Sequence, residues 1–384
     1  MSYINTWNLD TIFPGGSKSE KLKEKIQSLY KQIDLFREKI DQLEQEQSAE
    51  KLKEIIRLDE EISRGAYQSS AFITMVQSAF MDDEYASVVQ GDIVDLFVTF
   101  RKEKVRLKKL YANWQEKEWQ ELLKQEPFSE IAFRLEEMRE EGKRFLSPEV
   151  EAIIAELNKD GISAWSQLYD KIVSIMTIPF TDKEGEQIDL SIGQAMNRMY
   201  ADPDPEVREQ IFQSWEKEWE HYGPLFAHTL NHLAGSRLTL QKLAGRKGHL
   251  EEPLEYNRME EATLKAMWSA IEAKKEPFYR YLQRKATLFG MDKLGWQDVE
   301  APVSIGKSKA RTFSYEEACD FIVEHFHSFG HQLTNFAKHA LTSGWVEAEN
   351  RANKRPGGYC TSLPEDKESR IFMTFTGSTS DVST

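Results

Sequence analysis

Apolar residues recur at every third or fourth position between residues 18 and 64, and this spacing constrains the fold more strongly than any other feature of the sequence. Charged residues occupy most of the positions between them. A helix of 3.6 residues per turn gathers such apolar positions onto one face. The apolar positions are Leu22, Ile26, Leu29, Ile33, Phe36, Ile40, Leu43, Leu52, Ile55, Leu58 and Ile62. A break near Gln47 and Ser48 predicts a long antiparallel helical hairpin. A dimerising coiled coil is the alternative, although the apolar repeat is short and interrupted for that purpose.

Helical spacing continues through most of the chain. Residues 66–141 show the same pattern with an aromatic-rich stretch, which predicts further helices that contribute to a core. Ser147 is suited to cap a helix whose first turn contains Pro148. We expect that helix to end near Asn158.

A small β-hairpin is predicted near residues 175–190. Two apolar segments, 175–180 and 187–190, flank the polar turn 182–185. Short apolar runs on either side of a turn that contains Gly are typical of a hairpin.

Two prolines within residues 202–206 interrupt the helical pattern, and we place a domain boundary there. The sequence thus predicts a helical N-terminal domain over residues 1–200 and the front part of a second domain over 201–384. Further helices are expected at about 260–289 and 314–341.

The last forty residues change in character. Residues 355–360 and 371–375 have the composition of short strands, separated by the polar loop 364–368. Two strands are only marginally stable alone. We therefore expect 371–375 to present an unpaired edge and the tail after about Gly344 to be mobile or prone to aggregation. The fold class that follows is mainly α, with a few short β-strands.

Charge and hydropathy exclude several classes of protein. The formal net charge of −14 argues against a nucleic-acid partner, because such binding depends on basic contacts to phosphates. No window approaches 18 consecutive apolar residues, and the first residues lack a basic segment followed by an apolar one. We therefore expect no membrane partner and a cytoplasmic location.

The histidines do not predict a metal centre. His228 and His232 are four residues apart, as are His327 and His331, but no Glu follows the first His of either pair. A hydrolytic zinc helix needs that Glu as a base and a third metal ligand elsewhere. We expect both pairs to be surface or packed residues, and we assign no catalytic residue and no metal ligand.

Several segments, in order along the chain, resemble the oligoendopeptidase F family of zinc metallopeptidases, which is similar to thimet oligopeptidase. The segments are 7–16, 146–149, 164–169, 204–208, 230–237, 257–258, 281–282, 298–302, 344–345, 354–360, 371–377 and 381–384. The final segments resemble the part of the family that leads into its zinc helix. The resemblance implies that residues 201–384 are the start of an α-helical, zincin-type peptidase domain.

In that family the segments that resemble 354–384 are followed by His-Glu-x-x-His. Its histidines bind zinc, and its glutamate activates the metal-bound water. A later glutamate is the third protein ligand. The 384 residues contain no such motif. The resemblance therefore implies a zinc cofactor in a complete member, but we expect this chain alone to bind no catalytic zinc and to be inactive.

The resemblance also implies a substrate-binding strand, because the strand beside the metal helix pairs with an extended peptide in peptidases of this kind. The residues expected to line the peptide cleft are Phe375, Thr376, Gly377 and Ser378, and less directly Gly357, Gly358 and Tyr359. The expected partners are short peptides and the C-terminal catalytic segment of the family.

Two functions follow as hypotheses. The first is a zinc endopeptidase that hydrolyses short unfolded peptides, of which this chain is the front part. The alternative is a non-enzymatic helical scaffold or peptide-binding module derived from the family. A weaker third hypothesis is an assembly protein that dimerises through residues 18–64.

Overall fold

The computed structural model describes residues 2–303, 312–351, 353–355 and 357–383. The chain forms two compact units, one made of residues 1–143 and 311–384 and the other of residues 144–310. The predicted domain boundary near residue 200 stays a prediction. Within the described residues, no helix combines the length and the hydropathy that a membrane span requires.

The first unit begins with a series of helices. They are α1 (Glu20–Gln45), α2 (Ala49–Ala79), α3 (Glu84–Asn113), α4 (Glu116–Leu122) and α5 (Ala132–Arg144). The Ser19 side chain accepts a hydrogen bond from the backbone N–H of Leu22 and so caps α1. Three residues separate α1 from α2, which confirms the break predicted near Gln47 and Ser48.

The helical hairpin buries the apolar face that the spacing predicted. Ile33, Phe36 and Ile40 are completely buried, and the Phe36 ring meets the Phe100 ring of α3 edge-on at 5.4 Å. All the apolar positions of the hairpin that the sequence singled out lie in this core. Helix α3 thus covers the apolar face within the same chain.

The second unit is also mainly helical. Its elements are α6 (Pro148–Asn158), α7 (Ala164–Ile175), β1 (Thr177–Thr181), β2 (Gln187–Ser191), α8 (Ile192–Ala201), α9 (Pro205–Leu243), α10 (Glu251–Tyr256), α11 (Glu261–Lys274) and α12 (Glu276–Leu288). The predicted bounds of α6 are confirmed. So is the hairpin: β1 and β2 are antiparallel, with Ile178 opposite Leu190.

A buried ion pair lies within the second unit. Nε and Nη2 of Arg208 both donate to Asp298 Oδ1, at 3.2 and 2.8 Å, and Nη1 donates to the Asp202 carbonyl at 2.8 Å. Both charged side chains are almost fully buried. A buried charge requires a partner of this kind, because removal from water without one is strongly unfavourable.

The remaining elements belong to the first unit. They are α13 (Tyr315–Phe329), α14 (His331–Thr342), β3 (Val346–Glu347), β4 (Tyr359–Leu363), β5 (Glu368–Phe372) and α15 (Thr379–Ser383). The strands form one sheet in the order β3-β5-β4, with β5 parallel to β3 and antiparallel to β4. The predicted fold class, mainly α with a few short strands, is confirmed.

Two predictions for the tail were wrong. The strands were predicted at 355–360 and 371–375, but β4 and β5 lie closer to the turn that connects them. Polar residues such as Thr361 and Arg370 pair in the ladder, and the apolar pattern did not include them. The segment 371–375 also has a partner: the N–H groups of Ile371 and Met373 donate to the carbonyls of Trp345 and Glu347, each at 2.9 Å. The short strand β3 supplies the pairing that the sequence pattern did not reveal.

Candidate functional site

The structure brings the two predicted substrate-binding segments to the same end of the three-stranded sheet. Tyr359, the first residue of β4, pairs with Phe372, the last residue of β5. A Cβ on Gly358 would lie only 3.1 Å from the Phe372 carbonyl oxygen. Phe375 follows Phe372 by three residues, so residues 357–359 and 375–378 flank a common region of backbone.

Phe375 is held on the β3 side of this region. Its N–H donates to the Ala348 carbonyl at 2.9 Å, which extends the parallel pairing past the end of β5. Its ring meets the Tyr315 ring edge-on at 5.6 Å. Burial raises the pKa of Tyr315, so this phenol stays neutral.

Asp381 orders the backbone of Thr376 and Ser378. Its Oδ2 accepts hydrogen bonds from the N–H and hydroxyl of Thr376, both at 2.7 Å, and from the Ser378 N–H at 3.1 Å. The Ser378 hydroxyl in turn accepts from the Asp381 N–H at 3.1 Å, a reciprocal capping arrangement at the start of α15. Burial alone would raise the pKa of Asp381, but the hydrogen bonds from Thr376 and Ser378 outweigh it and lower the pKa.

Gly377 occupies a position that no larger residue fits. Its φ of +83° lies in the left-handed region, and a Cβ there would come within 2.6 Å of the Phe313 carbonyl oxygen. The Gly377 carbonyl accepts a hydrogen bond from the Phe313 N–H at 3.0 Å. The absence of a side chain at this position therefore permits close approach of the two backbones.

Lys354 ties together the backbone around β3 and β5. Its ammonium donates to the carbonyls of Glu347, Glu349 and Met373 at 3.2, 2.7 and 2.7 Å. The Glu347 carboxylate lies 3.4 Å away, and both side chains are almost fully buried. Burial lowers the pKa of Lys354, although the Glu347 charge counteracts this effect.

Thr374 carries backbone groups that are available to a ligand. Successive residues of a strand direct their N–H groups to opposite sides, so Thr374 faces the β4 side while Met373 and Phe375 face β3. In the described part of the chain, no hydrogen bond is made by the Thr374 N–H, the Thr374 carbonyl, the Thr376 carbonyl or the Gly377 N–H. Thr374 follows Phe372, which pairs with Tyr359, the first residue of β4, so these groups lie beyond the paired part of the two strands.

The second predicted segment begins strand β4. Gly357 has φ of +94°, and no heavy atom of the described chain lies within 4 Å of the place that a Cβ would take. Tyr359 stacks on Phe372 at 5.2 Å and donates from its hydroxyl to Ser78 Oγ at 3.0 Å. Burial raises the pKa of Tyr359. Tyr359 thus makes packing contacts, whereas Gly357 and Gly358 are exposed.

Sequence reasoning missed Thr374, Asp381 and Lys354. A signal for Asp381 was present, since Ser378 and Asp381 have the Ser-x-x-Asp spacing of a capping box. The role of Thr374 depends on which strand lies on each side of β5, which no local pattern specifies. The assignment of substrate binding to residues 357–359 and 375–378 remains a prediction.

The described residues do not fit a catalytic zinc ion. Among them, no group of three or more His, Cys, Asp or Glu side chains is arranged to hold a metal. His327 lies in the last turn of α13 and His331 is the first residue of α14, with the ring centroids 4.9 Å apart. His228 and His232 lie on one face of α9 with their Nε2 atoms 3.1 Å apart.

Comparison with known protein families and sequences identifies relatives. The Oligopeptidase F family model matches residues 112–178. Oligopeptidase PepF of Bacillus subtilis is 20% identical over 359 residues, which cover 92% of this chain and 52% of the relative. Group B oligopeptidase PepB of Streptococcus agalactiae is 23% identical over 176 residues, or 46% of this chain and 29% of the relative. The chain therefore spans about half the length of PepF.

Solved structures share the fold. A putative peptidase from Chlamydophila abortus has a TM-score of 0.68 at 19% identity and covers 100% of this chain and 63% of its own. Oligoendopeptidase F from Enterococcus faecium has a TM-score of 0.63 at 17% identity and covers 84% of this chain and 60% of its own. The solved structures show the same fold, and the family model and the sequence relatives support the oligoendopeptidase F family that the sequence resembles.

Proposed function

We propose that this chain forms the front, peptide-binding part of an oligoendopeptidase-type peptidase that acts on short unfolded peptides. The observation that carries the proposal concerns the Thr374 N–H and carbonyl, the Thr376 carbonyl and the Gly377 N–H, just past the end of β5. These backbone groups make no hydrogen bond to the described residues. The resemblance to oligoendopeptidase F supports a peptidase, and these groups supply a means of binding peptide backbone.

The binding mode we propose is strand addition. An extended peptide lies on the β4 side of residues 374–377, in line with the position that β4 occupies up to Tyr359. The Thr374 N–H and carbonyl form hydrogen bonds with the peptide backbone. The Thr376 carbonyl and the Gly377 N–H offer further hydrogen bonds to the peptide at the end of the segment. Hydrogen bonds to main chain are tolerant of peptide sequence, whereas folded proteins seldom expose an unpaired extended segment.

The ordered surroundings favour this role. Asp381 fixes Thr376 and Ser378, and Lys354 fixes Met373. A strand whose backbone is already held loses little conformational entropy when a peptide pairs with it. The predicted residues Phe375 to Ser378 then act mainly as support. Gly357 leaves space beside the peptide, because no heavy atom of the described chain lies within 4 Å of the place that its Cβ would take.

Hydrolysis requires chemistry beyond the described residues. Zinc in complete family members lowers the pKa of bound water to about 7 and polarises the scissile carbonyl. Because the described residues do not fit such an ion, we propose no catalytic step for these 384 residues alone. In a complete peptidase, this part of the chain binds and orients the peptide.

The binding mode can be tested by fluorescence anisotropy with a labelled, unstructured peptide. Thr374→Pro removes the backbone donor and is expected to weaken binding about tenfold, the value of one hydrogen bond of about 1.4 kcal/mol. Thr374→Val keeps the donor, changes only the side chain and should bind as the original chain does. Equal affinity of both variants, with unchanged circular dichroism, would contradict strand addition at Thr374.

The catalytic part of the proposal needs a longer chain that includes a His-Glu-x-x-His helix. A fluorogenic peptide should be cleaved by that chain and not by the 384 residues, and cleavage should stop with a chelator and return with zinc. Comparable chelator-insensitive cleavage by both chains would contradict the zinc hypothesis. Peptide binding without cleavage by the longer chain would favour the alternative of a non-enzymatic peptide-binding module.

A further inference from the structure

The His228 and His232 pair has a geometry that spacing in the sequence does not reveal. The two residues lie one turn apart on α9, and their Nε2 atoms are 3.1 Å from each other. The ring centroids are 4.4 Å apart and the ring planes differ by 77°. Both side chains are exposed, so a solvated ion has access to them.

This separation suits chelation of one metal ion. Nitrogen-to-metal distances for histidine are about 2.0–2.1 Å, so two nitrogens 3.1 Å apart subtend an angle of roughly 100° at a common metal. That angle lies between the values for square-planar and tetrahedral coordination. Imidazole nitrogen is a preferred ligand of zinc, copper and nickel, whereas magnesium and calcium prefer oxygen.

Trp165 restricts the histidine side chains. Its ring stacks on His232 with a centroid distance of 4.6 Å and an interplanar angle of 14°, and it meets His228 edge-on at 5.8 Å. Trp165 belongs to α7. One turn further along α7, Tyr169 packs against Phe226 of α9 at 4.9 Å and so fixes the two helices together. The histidines are therefore held near the chelating geometry before any ion binds.

We propose that His228 and His232 form a two-histidine binding site for a late first-row transition-metal cation, namely Cu²⁺, Ni²⁺ or Zn²⁺. Water completes the coordination, because no third His, Cys, Asp or Glu of the described residues converges on the pair. When the ion binds, the proton on the Nε2 that donates to the other ring moves by way of water to Nδ1 of its own ring. Both neutral rings then carry their hydrogen on Nδ1 and bind the ion through Nε2. Cu²⁺ is expected to bind most tightly of the three, following the general order of divalent-metal affinities.

The His327 and His331 pair is a matched control within the same chain. These residues are also four apart and exposed, but Gly330 separates the helices that carry them. Their ring centroids are 4.9 Å apart and the rings are also edge-on, but the described contacts include no hydrogen-bond approach between their nitrogens. Both pairs thus have the same spacing in sequence, but only His228 and His232 have their Nε2 atoms close enough to bind one ion.

The test is titration of the chelator-treated 384-residue chain with CuCl₂ by isothermal calorimetry and tryptophan fluorescence. One equivalent should bind. His228→Ala and His232→Ala should each weaken binding by at least about 10-fold to 100-fold, the usual cost of losing even an outer-sphere partner of a metal ligand. His327→Ala should leave this site unchanged. Mg²⁺ should not compete.

Trp165→Phe provides a second readout. The phenyl ring retains an aromatic contact, but the indole closest to the proposed ion is gone, so Cu²⁺ should quench a smaller share of the fluorescence while still binding. Equal weakening by His327→Ala, or unchanged Cu²⁺ affinity in both His228→Ala and His232→Ala, would overturn the proposal. Circular dichroism of each variant serves as the control that its helix content, α9 included, is unchanged.

Discussion

The Lys354 ammonium lies 2.7 Å from the Met373 carbonyl oxygen, although Lys354 is almost fully buried. The contact joins the segment that follows β3 to the residue that follows β5. Because the same ammonium also bonds to the Glu347 and Glu349 carbonyls, one side chain determines the path of the backbone that leads to Thr374. The proposed peptide-binding segment therefore depends on a charge that is hidden from solvent.

Lys354→Met should destabilise the first unit strongly. The change takes the ammonium donor from the Glu349 and Met373 carbonyls and from the Glu347 carbonyl, which keeps its hydrogen bond from the Met373 N–H. It also removes a positive charge 3.4 Å from Glu347 Oε1. Breaking a buried pair from one side typically costs about 3–5 kcal/mol of unfolding free energy. Urea denaturation measures the effect, with Lys21→Met on the exposed surface of α1 as a control that should change stability by less than about 0.5 kcal/mol. A similar small loss for both variants would contradict this account of Lys354.

Gly377→Ala should cost more stability than Gly357→Ala. Both glycines have positive φ, +83° and +94°, so both variants suffer the backbone cost of about 1–2 kcal/mol for a non-glycine residue in that region. Only at Gly377 does the added methyl group also meet a backbone oxygen, that of Phe313 at 2.6 Å. The clash should add about 1–3 kcal/mol to the loss of unfolding free energy. Equal losses in urea denaturation would show that the Phe313 segment moves aside.

The helical part of the fold was predictable because its signal is local and repeated. The hairpin of α1 and α2 carries apolar residues over eleven positions, from Leu22 to Ile62, and all lie in the core. The start of α6 was also predictable, because Ser147 and Pro148 are a local combination. Such patterns need no knowledge of distant residues.

The sheet could not be predicted in the same way. Strand β3 comprises only Val346 and Glu347, too few residues for alternation to appear, and it pairs with β5 across more than twenty residues of sequence. Glutamate is usually found at exposed positions, but Glu347 is buried and contacts Lys354 and Trp7. The open position at Thr374 depends on this pairing, which no local pattern reveals. Residues 375–378 were predicted from the family resemblance alone.

Asp381→Asn should reduce stability at neutral pH and much less in acid. The folded-state pKa of Asp381 is lowered, so its carboxylate contributes stability above the unfolded pKa of about 3.9. That contribution is lost as the pH falls through the lowered folded-state pKa. Urea denaturation of both proteins between neutral pH and this range should show their difference shrinking as the carboxylate is protonated. A difference that does not depend on pH would mean that Asp381 acts through shape and not through charge.

Amide hydrogen exchange should distinguish the two sides of the segment that follows β5. The N–H groups of Ile371, Met373 and Phe375 donate to carbonyls of residues 345–348 at 2.9 Å, so they should exchange slowly. The Thr374 and Gly377 N–H groups make no such bond to the described residues, and they should exchange at least about tenfold faster than their neighbours, because exchange reports local opening of hydrogen bonds. A saturating unlabelled peptide should slow Thr374 selectively if it adds as a strand. Fast exchange at Ile371, Met373 and Phe375 would instead support an unpaired edge, and slow exchange at Thr374 without peptide would remove the open position on which the proposed binding depends.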